Sequence, residues 1–229
     1  MLILGTSQAD HPQKKILTRC QKWGILQLAD TVSERSVAAG PLKKRHTGGI
    51  LMNIVVLKSS PNPHGSSNLL ADRFILGAEA AGHTVTVIDA ARADIHPCMG
   101  CVRCGYEGPC VQRDGMEEIK GAILSSDMLV FVTPLYYYGM TAQLKTLIDR
   151  FCAFNSSLTG RQLKSALITA AWNSDEWTFE ALEAHYKTLV RYLHFRDQGM
   201  ILGYGCGTVE MTKTSGFPER AYELGKSLK

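Results

Sequence analysis

No uninterrupted apolar run in the 229 residues approaches the roughly 20 needed for a helix to cross a bilayer, so a membrane-spanning protein is not expected. Charge of one sign is scarce: 25 Lys plus Arg stand against 21 Asp plus Glu, a net +4. With 45% hydrophobic and 20% charged residues, the chain is too apolar for a disordered segment. The fingerprints G-x-G-x-x-G, G-x-x-x-x-G-K-[ST] and H-E-x-x-H are all absent, as is a Ser/His/Asp order. Dinucleotide binding through a Gly-rich turn, P-loop NTPase chemistry, zinc proteolysis and triad hydrolysis lose their usual signals. No secretory signal is visible either, so a cytoplasmic, reducing compartment is expected and a disulfide framework is not.

The small basic excess is unevenly placed. Residues 1–51 hold 8 Lys/Arg and 3 Asp/Glu, a balance of +5, whereas residues 52–229 hold 17 and 18, a balance of −1. The densest run, Lys43-Lys44-Arg45, is thin support for a nucleic-acid partner, and none is expected. Residues 1–51 show neither helical nor alternating periodicity. Met52 then opens Met-Asn-Ile-Val-Val-Leu-Lys, the pattern of a buried parallel strand, and Gly48-Gly49 before it is compatible with a purine-rich ribosome-binding stretch. The expectation is a natural start at Met52, with 1–51 a non-native or flexible extension and 52–229 the folded domain.

From Met52 onward strand and helix signals alternate. Strands are expected at 53–57, 84–88, 128–133, 166–171 and 199–204; helices at 67–81, 116–124, 141–154, 176–193 and 218–228. Strands apolar along most of their length must be covered on both faces. The expected fold is therefore α/β: a doubly wound, five-stranded parallel sheet in three α/β/α layers. Ligands of such sheets sit beyond the carboxyl ends of the strands, where strand order reverses.

Three loops there carry chemistry. After the first strand, Ser59-Ser60-Pro61-Asn62-Pro63-His64-Gly65-Ser66-Ser67-Asn68 empties hydroxyls and amides into a helix N-terminus, which suits a phosphate and equally suits an ordinary capping turn. After the third strand, Pro134-Leu135-Tyr136-Tyr137-Tyr138-Gly139 places three tyrosines at the mouth of the sheet, a platform for a planar ring or a subunit contact. Trp172, after the fourth strand, is a further candidate. After the second strand, Cys98, Cys101, Cys104 and Cys110 follow a C-x₂-C-x₂-C-x₅-C spacing, gathering four of seven cysteines. Such a run can wrap a [4Fe–4S] cluster, serve as a cluster-free thiol loop, or hold zinc. Cys20, Cys152 and Cys206 read as structural.

Ser59-Ser60-Pro61-Asn62 with Gly65-Ser66-Ser67, then Pro134-Leu135-Tyr136 and Ala142-Gln143-Leu144-Lys145 ahead of Asp149-Arg150, resembles the NAD(P)H-dependent FMN reductase family of flavodoxin-like proteins, across essentially all of 52–229. The cysteine spacing resembles that of its iron–sulfur flavoprotein branch. The resemblance implies FMN phosphate contacts from Ser60, Asn62, Ser66, Ser67 and Asn68, and ring contacts from Pro134, Leu135, Tyr136, Tyr137, Tyr138, Gly139 and Trp172. It implies cluster ligation by Cys98, Cys101, Cys104 and Cys110. The family's Gly-Ser-Pro-Arg opening is Ser59-Ser60-Pro61-Asn62 here, without the arginine. The implied activity is hydride transfer from NAD(P)H to flavin N5, with no catalytic side chain, and onward delivery to a quinone, another small acceptor or a redox protein. A homodimer or homotetramer is implied. A non-enzymatic electron carrier and a cysteine-loop redox or metal sensor are the alternatives.

Overall fold

β-Branched and leucine-rich runs build the centre of the molecule. The computed structural model describes residues 51–229; the expected extension lies outside the described residues, apart from Leu51. Five strands, β1 (Asn53–Lys58), β2 (Thr84–Asp89), β3 (Met128–Pro134), β4 (Lys164–Ala170) and β5 (Arg196–Gly203), pair in parallel in the order β2-β1-β3-β4-β5. Period-2 alternation divides their side chains. Ile54, Val56, Met128, Val130, Val132, Ala166 and Ile168 face one helical layer, built from α1 (Ser66–Ala80) and α7 (Phe217–Lys226). Val55, Leu57, Leu129, Phe131 and Leu167 face the other, built from α2 (Met116–Ser125), α3 (Ala142–Asp149), α4 (Asn155–Arg161) and α5 (Glu180–Tyr192). Burial on both sides explains why β1, β3 and β4 read as continuous apolar runs. The expected five-stranded, three-layer α/β fold is present.

Several elements differ from expectation: the helix expected over 176–193 opens as a 3-10 turn, Glu176–Phe179, before α5, and β5 begins at Arg196 rather than at 199. The apolar face read as one helix over 141–154 is split: Thr141 is the N-cap, its Oγ1 accepting from the Leu144 N–H at 3.3 Å, and α3 ends at Asp149. A 3-10 segment, Arg150–Phe154, follows, with Arg150, Phe151, Ala153 and Phe154 buried. Its tighter pitch turns Arg150 inward, where hydrogen bonds hold it. A short helix after β5, α6 (Val209–Thr214), has no strong apolar period; Thr208 caps it by accepting from Met211 N–H at 3.2 Å.

The order of the first three strands places the reversal at the carboxyl ends of β1 and β3. The loops leaving those two strands are the two singled out for phosphate and ring. Among the described residues, no helix is long and apolar enough to cross a membrane.

Candidate functional site

The loop between β1 and α1 is closed around one carbonyl. Asn62 O accepts from Ser60 Oγ at 3.0 Å, from the Gly65 N–H at 3.0 Å and from Asn68 Nδ2 at 3.1 Å; Asn68 Nδ2 also reaches Pro63 O at 3.2 Å. The Asn62 side chain accepts from the His64 N–H at 3.1 Å. Asn68 and Asn62 therefore brace the loop. Gly65 sits at its narrowest point, where a Cβ would lie a tight 3.2 Å from both Asn62 O and Ser60 Oγ. Helix α1 then starts without any side-chain cap. Its first N–H groups point out of the helix with no intrahelical acceptor, and the positive end of the helix dipole adds to them. Ser67 Oγ and Asn68 Oδ1 are buried with no hydrogen-bond partner. Of these two orphans Asn68 Oδ1 can only accept, whereas Ser67 Oγ can donate, so the Ser67 hydroxyl beside an uncapped helix start fits an external anion such as a phosphate.

A hydroxyl chain ties this loop to the next. Thr141 Oγ1 donates to Ser59 Oγ at 2.9 Å, and Ser59 Oγ donates to Val132 O at 2.7 Å, both side chains fully buried. Thr133 Oγ1 accepts from the Thr141 N–H at 2.9 Å and donates to Pro134 O at 2.9 Å. The two loops are thus held in one register from below.

Above that base the tyrosines form a tight hairpin. Tyr136 N–H donates to Gly139 O at 3.0 Å and Gly139 N–H to Tyr136 O at 3.1 Å. The two central residues, Tyr137 and Tyr138, have φ of +46° and +62°. Positive φ at both positions is the type I′ turn, which Asn and Gly ordinarily occupy, and each non-glycine there costs about 1–3 kcal/mol. Strain is accepted where large aromatic rings are needed. Tyr137 is wholly exposed, while Tyr138 stacks against Trp177 with ring centroids 5.0 Å apart. Leu135, Tyr137, Tyr138, Trp172, Asn173 and Thr178 line an open cleft of about 530 Å³, counting its space open to solvent. Trp172 is 68% exposed and one ring face is seated on Gly207, where a Cβ would fall 2.2 Å from the ring. Thr178 Oγ1 is a further buried hydroxyl without a partner.

Between β2 and α2, the cysteine loop is pinned at its neck. Arg150 donates in bidentate fashion to Asp114, Nη1 to Oδ2 at 2.5 Å and Nη2 to Oδ1 at 3.1 Å, and Nη1 also reaches His96 O at 2.8 Å. Both charged side chains are 1% exposed. Asp114 additionally accepts from the His96 and Met116 N–H groups, and Gln112 Nε2 donates to Pro97 O at 2.8 Å. Burial alone pushes the Asp114 carboxyl up, but the Arg150 hydrogen bonds, these N–H donors and the guanidinium charge outweigh it and hold the carboxyl well below the usual range. His96 precedes Cys98 and Asp114 follows Cys110, so Arg150 closes the stem of the thiol loop.

Within the loop, Gly100, Val102, Gly105 and Tyr106 all adopt left-handed conformations, curling the backbone about the cysteines. Cys98, Cys101, Cys104 and Cys110 line one narrow hollow of about 20 Å³, little more than the space of one water molecule. The 3-10 segment supplies the opposite wall through Arg150, Cys152 and Ala153. Cys152, read as structural from sequence, joins the four. Burial pushes its thiol up to about 11, and hydrogen bonding with Cys104 and the nearby Cys104, Cys98 and Cys110 thiols push it the same way. Among the described residues, no three His, Cys, Asp or Glu side chains converge to hold a single metal ion. Four soft thiols lining a shared hollow are chemically the kind of donors that an iron–sulfur group takes.

Sequence reading met Arg150 only as part of the Asp149-Arg150 pattern, gave no role to Arg150, Asp114 or Arg92, and took Cys152 as structural. Arg92 donates from Nη2 to Pro61 O at 3.0 Å and from Nη1 to Asp89 Oδ2 at 2.7 Å, bringing a cation to the phosphate loop from beyond β2. No local pattern announces these residues, because each acquires its role from a partner distant in sequence.

A family model described as NADPH-dependent FMN reductase matches residues 52–200. This chain belongs to the NADPH-dependent FMN reductase family. The match begins one residue before β1 and takes in both loops at the reversal point and the thiol loop. Within the family, an iron–sulfur flavoprotein of Archaeoglobus fulgidus is 32% identical over 127 residues, 55% of this chain and 58% of that one. Another, from Methanocaldococcus jannaschii, is 32% identical over 99 residues, 43% of this chain and 51% of that one. The chain thus matches little more than half the length of these curated relatives. An NAD(P)H:quinone oxidoreductase from Methanothermobacter marburgensis superposes with a TM-score of 0.64 at 18% identity, covering 78% of this chain and 96% of that one, a likeness of fold.

Proposed function

We propose that the protein is an FMN-dependent oxidoreductase that takes electrons from NAD(P)H and passes them to a quinone, another small acceptor or a redox protein. The observation that carries this is the juxtaposition, at one reversal point, of an uncapped helix start with the orphan Ser67 Oγ and a strained, exposed tyrosine hairpin. Family membership supports the same reading. FMN, when bound, supplies the hydride acceptor and the electron store.

The chain's own residues bind and orient. The N–H groups opening α1, with the hydroxyls of Ser66 and Ser67, hold the phosphate; Ser60, Asn62 and Asn68 keep their loop in shape. Pro134, Leu135 and the Tyr136–Gly139 hairpin flank the ring, with Trp172 and Thr178 across the cleft. Thr141 and Ser59 fix the distance between phosphate and ring supports. Cys98, Cys101, Cys104 and Cys110 hold a [4Fe–4S] cluster, a role supported by their shared cavity and by the relatives named iron–sulfur flavoproteins. No side chain needs to take a proton, since hydride transfer depends on alignment. Exposed aromatic rings at the cleft favour a homodimer or homotetramer, and the reading places the protein in the cytoplasm.

Anaerobic purification followed by a visible spectrum, FMN titration by fluorescence quenching, and NADH or NADPH oxidation test the proposal. Flavin bands and nucleotide turnover are expected. A colourless protein that fails to take up FMN overturns it, and FMN uptake without turnover leaves an electron carrier.

A further inference from the structure

Arg150 has more donors than its neck partners use. Its Nη atoms are engaged by Asp114 and His96, yet Nε is buried without any partner, in a residue only 2% exposed. A buried guanidinium N–H left unpaired is costly, and a fixed arginine fork offers it in one direction only. The same side chain forms part of the wall of the cavity that Cys98, Cys101, Cys104 and Cys110 line. Cys110 lines the same cavity wall beside it. Asp114 is bound in the neck on the guanidinium's Nη side. A cation with a spare donor beside four thiols suits an anionic sulfur.

We infer that Arg150 is a positioning residue for the iron–sulfur group: its Nε–H donates to a thiolate or sulfide sulfur in the cysteine cavity, while its Nη atoms close the loop's neck. This rests on the cluster reading proposed above. A hydrogen bond and a positive charge at the sulfur favour the more negative, reduced state, so Arg150 raises the reduction potential.

The test uses the full chain loaded anaerobically with ferrous iron and sulfide, as wild type, as Arg150→Lys, and as the double variant Arg150→Met with Asp114→Asn. The lysine keeps a charge but loses the fork, and the double variant removes both charges together, so that no unpaired carboxylate is left buried. Iron per chain, thermal melts and a potentiometric titration are read. Iron-loaded, folded variants are expected to show a reduction equilibrium constant about tenfold smaller than wild type, about 59 mV for a one-electron couple. Loaded variants with the wild-type potential overturn the inference alone. A wild type that binds no iron overturns the cluster reading and this inference with it.

Discussion

The phosphate loop and the thiol loop leave neighbouring strands on the same edge of the sheet, yet they are held in opposite ways. In the first, Asn62 O gathers three donors and a buried hydroxyl chain runs from Thr141 through Ser59 to Val132, so that the segment is fixed along its length. In the second, Arg150, Asp114, His96 and Gln112 fix the stem, while Cys98 and Cys101 stand exposed. The first loop is preorganised around a small anion whose position must not vary. The second is anchored at its ends and leaves its cysteines to be organised by what they bind, as metal-binding loops commonly are.

Removing the anchor should show this contrast most strongly. Arg150→Met leaves the Asp114 carboxylate buried and unpaired, and is expected to cost about 3–5 kcal/mol in a chemical melt. Because the folded carboxyl is held below its ordinary value, its contribution is present at neutral pH and lost as pH falls through and below the usual carboxylate range, near pH 4. Asp114→Asn should flatten that acid limb of the stability curve; an unchanged limb would show that the neck does not govern it.

The phosphate side breaks differently. Thr141→Val removes the α3 cap and the donor to Ser59 together, at an expected cost of about 1–3 kcal/mol. FMN affinity, followed by fluorescence quenching, should fall by roughly tenfold, since about 1.4 kcal/mol separates each decade. A stability loss with unchanged affinity would mean that the chain does not set the spacing between phosphate and ring supports.

The tyrosine hairpin allows the reverse trade. Tyr137→Gly relieves one left-handed non-glycine and should stabilise the fold by about 1 kcal/mol. Loss of its ring should weaken FMN by roughly three- to tenfold, in keeping with an aromatic contact of about 0.5–1.5 kcal/mol. Unaltered FMN binding would assign that wholly exposed ring to a subunit contact instead.

The sheet was legible because its signal is local: Asn53–Lys58 and Met128–Pro134 are apolar on both faces, and only a covered parallel strand has that composition. The phosphate and tyrosine loops were legible for the same reason, each being a contiguous run of unusual composition. Arg150 was not. It continues an apolar helical face in sequence, and nothing local says that the helix tightens there to meet Asp114, 36 residues earlier. Cys152 likewise reads as an isolated core cysteine until the 3-10 turn carries it to the other thiols. The hydrophobic period reports which face is buried, not which polar partner waits behind it.

Arg92 is the smallest of these effects and the most diagnostic of the phosphate. The loop lacks an arginine of its own, and Arg92 reaches it from beyond β2 through Pro61 O while paired to Asp89. With its side chain 52% exposed, the pair itself adds at most about 1 kcal/mol to the fold, so Arg92→Ala should leave the melt nearly unchanged. Its charge would act on the ligand instead, weakening FMN roughly two- to fivefold at low salt. Screening should erase the difference as the Debye length shrinks from about 10 Å at 0.1 M to about 3 Å at 1 M. Riboflavin, which has the same ring without the phosphate, separates charge from shape: its affinity should be the same for wild type and variant. An equal loss for both ligands would place Arg92 at the ring and leave the phosphate to the N–H groups of α1 alone.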